Sequence, residues 1–384
     1  MTRRWRAIAR ALLVVVGTSL VAAASLAASG WTAFGAAPSA ERRLRLSQSP
    51  QWTGGRFVNA MPLRDDLMVS LRGLRTMSDS ASPHHALNVT AIDPHRFDTV
   101  PASGLRVTWF GHSSALVEID GVRVLIDPMW SERASPVRWP GPRRWYAPPI
   151  AREALPMIDV AVISHDHYDH LDHATIVALA KRGTTFVVPL GVGSHLALWG
   201  IADARIIELD WWQRTRIRNL EIVSTPARHA SGRTLTDRDA TLWGGYALIG
   251  AQHRVYYSGD TGMTPLFGEI GSTLGPFDIT LMQVGEYGEG WPDWHLTPED
   301  AVRAHVMVRG QVMLPVHWGL LNLAFHAWNE PIERTVAAAR TAGVALTTPR
   351  PGESVVWGEP APSSPWWTEQ PIPPARSTIN AARP

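Results

Sequence analysis

Four side chains able to ligate a metal fall within six residues in the segment Ser164-His165-Asp166-His167-Tyr168-Asp169-His170: His165, His167, Asp169 and His170. Imidazoles and a carboxylate gathered at the end of an apolar strand are costly to bury unless a cation pairs with them. The spacing His-x-His-x-Asp-His on an irregular turn can direct His165 and His167 to one ion and Asp169 with His170 to a second. Two-metal hydrolases use such a clamp. Three further ligand types stand after apolar runs: His229 beyond 220–225, Asp260 in Ser258-Gly259-Asp260-Thr261-Gly262, and His317 beyond 312–316. Loops at strand ends gather over the mouth of a layered fold, where pockets form.

The elements that must position these residues show in the hydrophobic pattern. Runs at 105–110, 115–119 and 122–126 predict three strands, with Asp120-Gly121 as a two-residue hairpin turn between the last two. Further strands are predicted at 158–164, 184–188, 205–209, 220–225, 241–249, 254–258, 277–282 and 312–316. Helices are predicted at 172–181 with Asp172 as N-cap, at 265–270, at 297–308 with Thr297 capping and Pro298 in the first turn, and at 330–342. The stretch 130–149, dense in Pro, Trp and Arg, reads as a long ordered loop.

The chain divides into four parts on this reading. Residues 1–40 open with Arg3, Arg4, Arg6 and Arg10 and continue uncharged from Ala11 to Ala40, the layout of a signal peptide or a retained membrane anchor. Small residues at 36–40 offer a place for signal peptidase. Either fate directs the rest of the chain outward, so the protein is expected to be exported, periplasmic or anchored to the cytoplasmic membrane facing outward. Residues 41–101 are expected to form an N-terminal extension packing on the core, 102–357 the domain that carries the metal-competent residues, and 358–384 a Pro/Ser-rich tail that docks loosely or not at all.

Composition removes several alternatives. With no Cys among 384 residues, thiolate catalysis, iron-sulfur clusters and Cys-rich zinc sites are excluded, and any metal is held by His, Asp or Glu. The formal charge is +2 and the arginines are scattered among acids, which gives no nucleic-acid footprint. The 18 Trp, including Trp211-Trp212 and Trp366-Trp367, raise contact with a membrane interface as one reading. For Trp211-Trp212, packing is the expectation.

The motif His165, His167, Asp169, His170 resembles that of the metallo-beta-lactamase superfamily. The resemblance spans roughly residues 105–352. It implies an α/β four-layer sandwich, two mixed sheets face to face with helices outside. It also implies that His165, His167 and His229 hold one zinc, that Asp169, His170 and His317 hold a second, and that Asp260 bridges both. Within the superfamily the chain is similar to N-acylphosphatidylethanolamine-hydrolysing phospholipase D. Shared motifs include Phe110-Gly111-His112-Ser113-Ser114, Leu125-Ile126-Asp127-Pro128, Glu208-Leu209-Asp210-Trp211-Trp212 and Pro315-Val316-His317-Trp318-Gly319. The sequence departs from the mammalian enzyme at Asp166, where Asn stands, and at Trp294, where Gln precedes the His.

Two Zn(2+) per chain would lower the pKa of a bound water to about 7, so that a bridging hydroxide serves as nucleophile toward a phosphodiester. Other divalent transition metals suit the same donors. Asp169 or Asp260 orients water or receives its proton. Arg233, four residues after His229, offers a guanidinium fork to phosphate, and His295 protonates a leaving group or binds phosphate. His112 is read as a structural histidine bonded to backbone, outside the ligand set. Asp127 is read as a carboxylate orienting a metal-bound histidine. The expected substrate is an N-acylphosphatidylethanolamine-like phospholipid, with association at a membrane surface. The phospholipase resemblance adds a homodimer. A lactonase or other ester hydrolase of the same fold is the alternative, and a non-catalytic metal- or lipid-binding envelope protein the third reading.

Overall fold

The structure, a computed structural model, describes residues 30–369 except residue 138, together with residues 5, 12–19, 21, 24, 25 and 28. A short hairpin of β1 (Trp52–Thr53) and β2 (Arg56–Phe57) precedes the main body. Then come β3 (Leu105–Gly111), β4 (Ser114–Ile119), β5 (Val122–Ile126), β6 (Val160–Val162), β7 (Thr185–Pro189) and β8 (Ile206–Leu209). They are followed by β9 (Arg214–Ile217), β10 (Leu220–Thr225), β11 (Gly245–Ile249), β12 (Arg254–Tyr257), β13 (Phe277–Gln283), β14 (Gly310–Val316), β15 (Ala345–Leu346) and β16 (Ser354–Val356). Two seven-stranded mixed sheets result, ordered β16-β3-β4-β5-β6-β7-β8 and β15-β14-β13-β12-β11-β10-β9.

The local chemistry explains the start of the first sheet. Asp120 and Gly121 both adopt positive φ, 47° and 82°, the backbone a two-residue turn needs, and Ile119 pairs directly with Val122. Alternation then sorts the side chains. Val107, Val117 and Val124 face the second sheet, whereas Phe110, Leu116 and Leu125 face the opposite side. On that outer side the helix His173–Lys181 packs Ile176 and Leu179, and Gly193–Leu198 adds Leu196. Helices Leu266–Leu274, Pro298–Met307 and Glu330–Ala342 cover the second sheet with Phe267, Ile270, Ala301 and Ile332. This is the α/β four-layer sandwich. Each fully buried Val, Leu or Ile contributes about 1.5–3 kcal/mol to holding the layers together.

The caps fall where the sequence places them. Asp172 accepts from Ala174 N–H and Thr297 from Asp300 N–H. Asp172 also accepts from Trp130 N–H, Ser131 N–H and the Ser131 hydroxyl, which ties down the start of the 130–149 loop. Strands β9, β15 and β16 and the helix Gly193–Leu198 were not expected. Each is short, and β9 is a charged edge strand, Arg-Thr-Arg-Ile, without an apolar face to betray it.

The extension and tail both lie against the sandwich. Arg42 pairs with Glu208 and Asp203, Arg64 with Asp293, and Asn59 exchanges two hydrogen bonds with the backbone of His229. The tail is not loose as far as Glu369. Trp366 is buried and stacks on Trp318 at 5.2 Å, and Pro362 O accepts from Thr347 and Thr348. The expectation of loose docking is corrected there, because two large rings bury more apolar surface than the Pro/Ser-rich remainder can offset. Residues 370–384 lie outside the described residues, as does most of the proposed signal segment before residue 30. Among the described residues no helix is long and apolar enough to cross a membrane.

Candidate metal centre

Each metal-competent residue follows the end of a strand. β6 delivers His165 to His170, β10 delivers His229, β12 delivers Asp260 and β14 delivers His317. Asp260 Oδ2 lies 2.9 Å from His317 Nε2, 3.1 Å from His170 Nε2, and 3.9 Å from His165 Nε2, His229 Nε2 and His295 Nδ1. One carboxylate oxygen thus faces five imidazole nitrogens.

Two groups of donors flank it. His165, His167 and His229 bring ligand atoms within 4.8 Å of one another, and so do His112, Asp169, His170 and His317. The hydrogen bonds behind the rings point their nitrogens inward. His170 Nδ1 donates to Asp127 Oδ2 at 2.7 Å, and His229 Nδ1 donates to Trp294 O at 2.9 Å, which leaves each Nε2 for the centre. Asp127 is anchored in turn by Ser164 N–H at 2.7 Å and by the hydroxyls of Ser164 and Tyr257. Asp127 and His317 hold left-handed backbone, φ 36° and 63°, strain of about 1–3 kcal/mol each that the surrounding packing must maintain.

The donors fit divalent cations. His170 Nε2, His317 Nε2 and Asp260 Oδ1 are buried without a hydrogen bond, although carboxylate oxygens stand close to both rings. Burial, reinforced by neighbouring imidazoles, holds His165 well below the ordinary histidine range. Burial likewise pushes His229 down to about 3. Both rings are therefore neutral, the form that ligates metal. Burial also opposes the charge on Asp260, but His170 and His317 outweigh it and keep the carboxylate ionised.

The structure brings together His165, His167, Asp169, His170, His229, Asp260, His295 and His317. Arg233 is different. Its guanidinium is buried, stacks 4.1 Å over Tyr168, and donates to the carbonyls of Ala33, Asp166 and Leu171. Its donors are spent on backbone, and it does not line the cavity above the centre, so the phosphate-pairing expectation is corrected. His112 also departs from its reading. Its Nε2 stands 2.8 Å from Asp169 Oδ2, and its ring lies 4.1 Å from that of His317. It follows the end of β3 as the proposed ligands follow the ends of their strands.

A cavity of about 590 Å³ opens over the centre. His167, Asp169, Asp260, His295 and His317 form one part of its lining, with Trp291, Trp294, Leu67 and Leu323 as apolar wall. Arg238 and Asp65 add charge, and Glu286 adds a buried carboxyl. Arg238 lies 5.3 Å over the Trp294 ring and pairs with Asp65 at 2.9 Å. Neither Arg238 nor Glu286 was singled out from sequence, since each lies in a polar loop without a ligand-like neighbour pattern.

Residues 122–318, which include every residue of the centre except His112, match the family of the beta-lactamase superfamily domain. The chain belongs to the beta-lactamase superfamily. An uncharacterised protein of Mycobacterium tuberculosis is 45% identical to it over 93% of this chain and 99% of its own length. N-acyl-phosphatidylethanolamine-hydrolyzing phospholipase D 1 of Caenorhabditis elegans is 37% identical over 67% of this chain and 74% of its own length. This superfamily member falls in the subgroup that contains those phospholipases. A metallo hydrolase of the archaeon Ignicoccus hospitalis shares the fold, with TM-score 0.51 and 24% identity over 65% of this chain and 97% of its own. The chain is accordingly a metal-dependent hydrolase of the metallo-beta-lactamase fold.

Proposed function

We propose that the protein is a dinuclear zinc phosphodiesterase of phospholipase D type, acting on N-acylphosphatidylethanolamine-like phospholipids. The observation that carries the reading is Asp260 Oδ2 facing five imidazole nitrogens on the floor of a cavity with an apolar wall. His165, His167 and His229 would hold one ion, Asp169, His170 and His317 the other, and Asp260 both. When bound, the two ions supply Lewis acidity and activate water at neutral pH.

The chain's own residues do the rest. Asp169 and Asp260 present carboxylate oxygens that orient water and accept its proton. Asp127 and Trp294 O fix the rings of His170 and His229, so the donors need little rearrangement. Burial holds His295 well below the ordinary histidine range, so this neutral ring at the cavity edge of the cluster is placed to hold a phosphate oxygen through a ring N–H and not to protonate the departing alcohol. Arg238 takes the anion-binding role that Arg233 cannot fill. Trp291, Trp294, Leu67 and Leu323 exclude water and receive the apolar part of the substrate.

Exposed Leu67, Met68, Leu71 and Leu74 beside the cavity support contact of this rim with a lipid surface. The basic start and apolar continuation of residues 1–40 support export. Homodimerisation rests on the phospholipase similarity alone.

One observation favours ester or lactone hydrolysis as a second reading. Asp65 faces the same cavity and pairs with Arg238 at 2.9 Å, which lowers the positive charge there and suits a less anionic substrate. Mass spectrometry of products from N-acylphosphatidylethanolamine micelles tests the main reading. Phosphatidic acid and an N-acylethanolamine are expected from the zinc-loaded protein and not from Asp169→Ala. Absence of both from the zinc-loaded protein contradicts the reading.

A further inference from the structure

Residues 31–37 lie where an export signal would end, yet they are built into the sandwich beside the metal-ligand loop. Trp31–Phe34 is a single helical turn. Its Thr32 O accepts from Trp199 Nε1 at 2.6 Å, and its Ala33 O accepts from Arg233 Nε at 3.0 Å and Nη2 at 2.7 Å. Ala36 N–H then donates to His195 Nδ1 at 2.9 Å. Gly35 makes this approach possible. Its φ is 87°, and a Cβ there would stand 2.2 Å from His195 Nδ1.

Two of these three partners, His195 and Arg233, lead to Asp166, the residue between His165 and His167. Because His195 Nδ1 accepts from Ala36, its Nε2 carries the proton toward Asp166 Oδ2, 3.3 Å away. Arg233 Nη1 donates to Asp166 O at 2.5 Å and to Leu171 O at 3.1 Å, bracketing the loop. Gly232 N–H and the Thr241 hydroxyl complete the shell around the Asp166 carboxylate. Arg233 is 4% exposed, and no carboxylate of the described residues lies within ion-pairing distance of it, so the carbonyls are its compensation.

We propose that residues 31–37 are a permanent strap of the folded enzyme that braces the metal-ligand loop, and that any N-terminal processing falls before Trp31. Cleavage within 36–40 would strip the acceptors from Arg233 and Trp199 and the donor from His195, all three buried. Such orphaned groups are strongly disfavoured in a folded protein. The part of the proposal that concerns the metal loop rests on the metal reading above; the part that concerns processing does not.

Two measurements test it. Intact-mass analysis of protein purified after expression of the full chain should give an N-terminus at or before Trp31. A mature protein beginning at 37–41 overturns the proposal. In the zinc-loaded full chain, Gly35→Val should unseat the strap without touching a ligand and release zinc to a chromogenic chelator at least about tenfold faster than wild type. Ile332→Val, a core change far from the loop, should lower Tm while releasing zinc at the wild-type rate. If Gly35→Val does not fold, Trp199→Phe, which removes the bond to Thr32 O while keeping an aromatic ring in the core, should also release zinc faster. Wild-type release from the strap variant that folds overturns the bracing role. A wild-type chain that takes up no zinc contradicts the metal reading instead, and leaves the N-terminal mass to decide the strap.

Discussion

Asp127 accepts a hydrogen bond from His170 Nδ1 at 2.7 Å, and both side chains are wholly inaccessible to solvent. The pair fixes which nitrogen of His170 faces the cluster. Asp127→Ala should therefore weaken metal binding by about 10- to 100-fold, as loss of a carboxylate behind a metal-bound imidazole does. Metal content after dialysis against a graded chelator checks this. Undiminished retention would mean that the ring orientation is set elsewhere.

The phosphate-pairing role expected of Arg233 falls, in the proposed function, to Arg238, while Arg233 serves the fold. Arg233→Ala leaves the carbonyls of Ala33, Asp166 and Leu171 without donors and should reduce stability by about 3 kcal/mol or more. Arg238→Gln, at a half-exposed cavity wall, should leave Tm nearly unchanged and raise KM for an anionic substrate. Urea titration and steady-state kinetics separate the two. A KM effect confined to Arg233→Ala would reverse the assignment.

Glu286 gives a pH signature. Burial, opposed in part by His317, pushes its carboxyl up to about 8. A carboxyl raised in the folded state stabilises that state while protonated. Its contribution is complete below the unfolded value and is lost as pH rises through about 8. In the metal-free protein, wild type should lose Tm relative to Glu286→Gln as the pH rises from roughly 5 to roughly 8.5. Parallel Tm curves would contradict the burial of an ionisable carboxyl there.

Trp366 anchors the C-terminal segment between Trp318 and Trp109, with ring centroids 5.2 and 6.2 Å away. Trp366→Ala should cost about 3–5 kcal/mol of unfolding free energy. Equilibrium denaturation by urea measures it. A loss below roughly 1 kcal/mol would mean that the ring is not part of the core.

What sequence carries about this protein depends on how local each interaction is. The ligand loop 165–170, the Asp120-Gly121 hairpin and the caps Asp172 and Thr297 are contained within a few residues, and their types alone announce them. His112 was misread because its partner Asp169 lies 57 positions away, and Arg233 because its acceptor Ala33 lies 200 away. Nothing in a linear pattern distinguishes a guanidinium aimed at phosphate from one spent on distant carbonyls. Trp366 was hidden for the same reason: a Pro/Ser-rich neighbourhood reads as loose until the fold supplies Trp318 beneath it. Arg238 and Glu286 gain their meaning only when the cavity places them over the cluster.

The most direct test of the account is hydrolysis of N-acylphosphatidylethanolamine by the zinc-loaded protein in ¹⁸O-labelled water. Attack at phosphorus forms a new P–O bond and breaks the bond to the ethanolamine oxygen, which leaves as the alcohol with a proton. One labelled oxygen should therefore appear in the phosphate of phosphatidic acid, with none in the N-acylethanolamine. Label in a released carboxylate would show that an acyl ester is the bond cleaved, and would contradict the phosphodiesterase reading while keeping the metal centre.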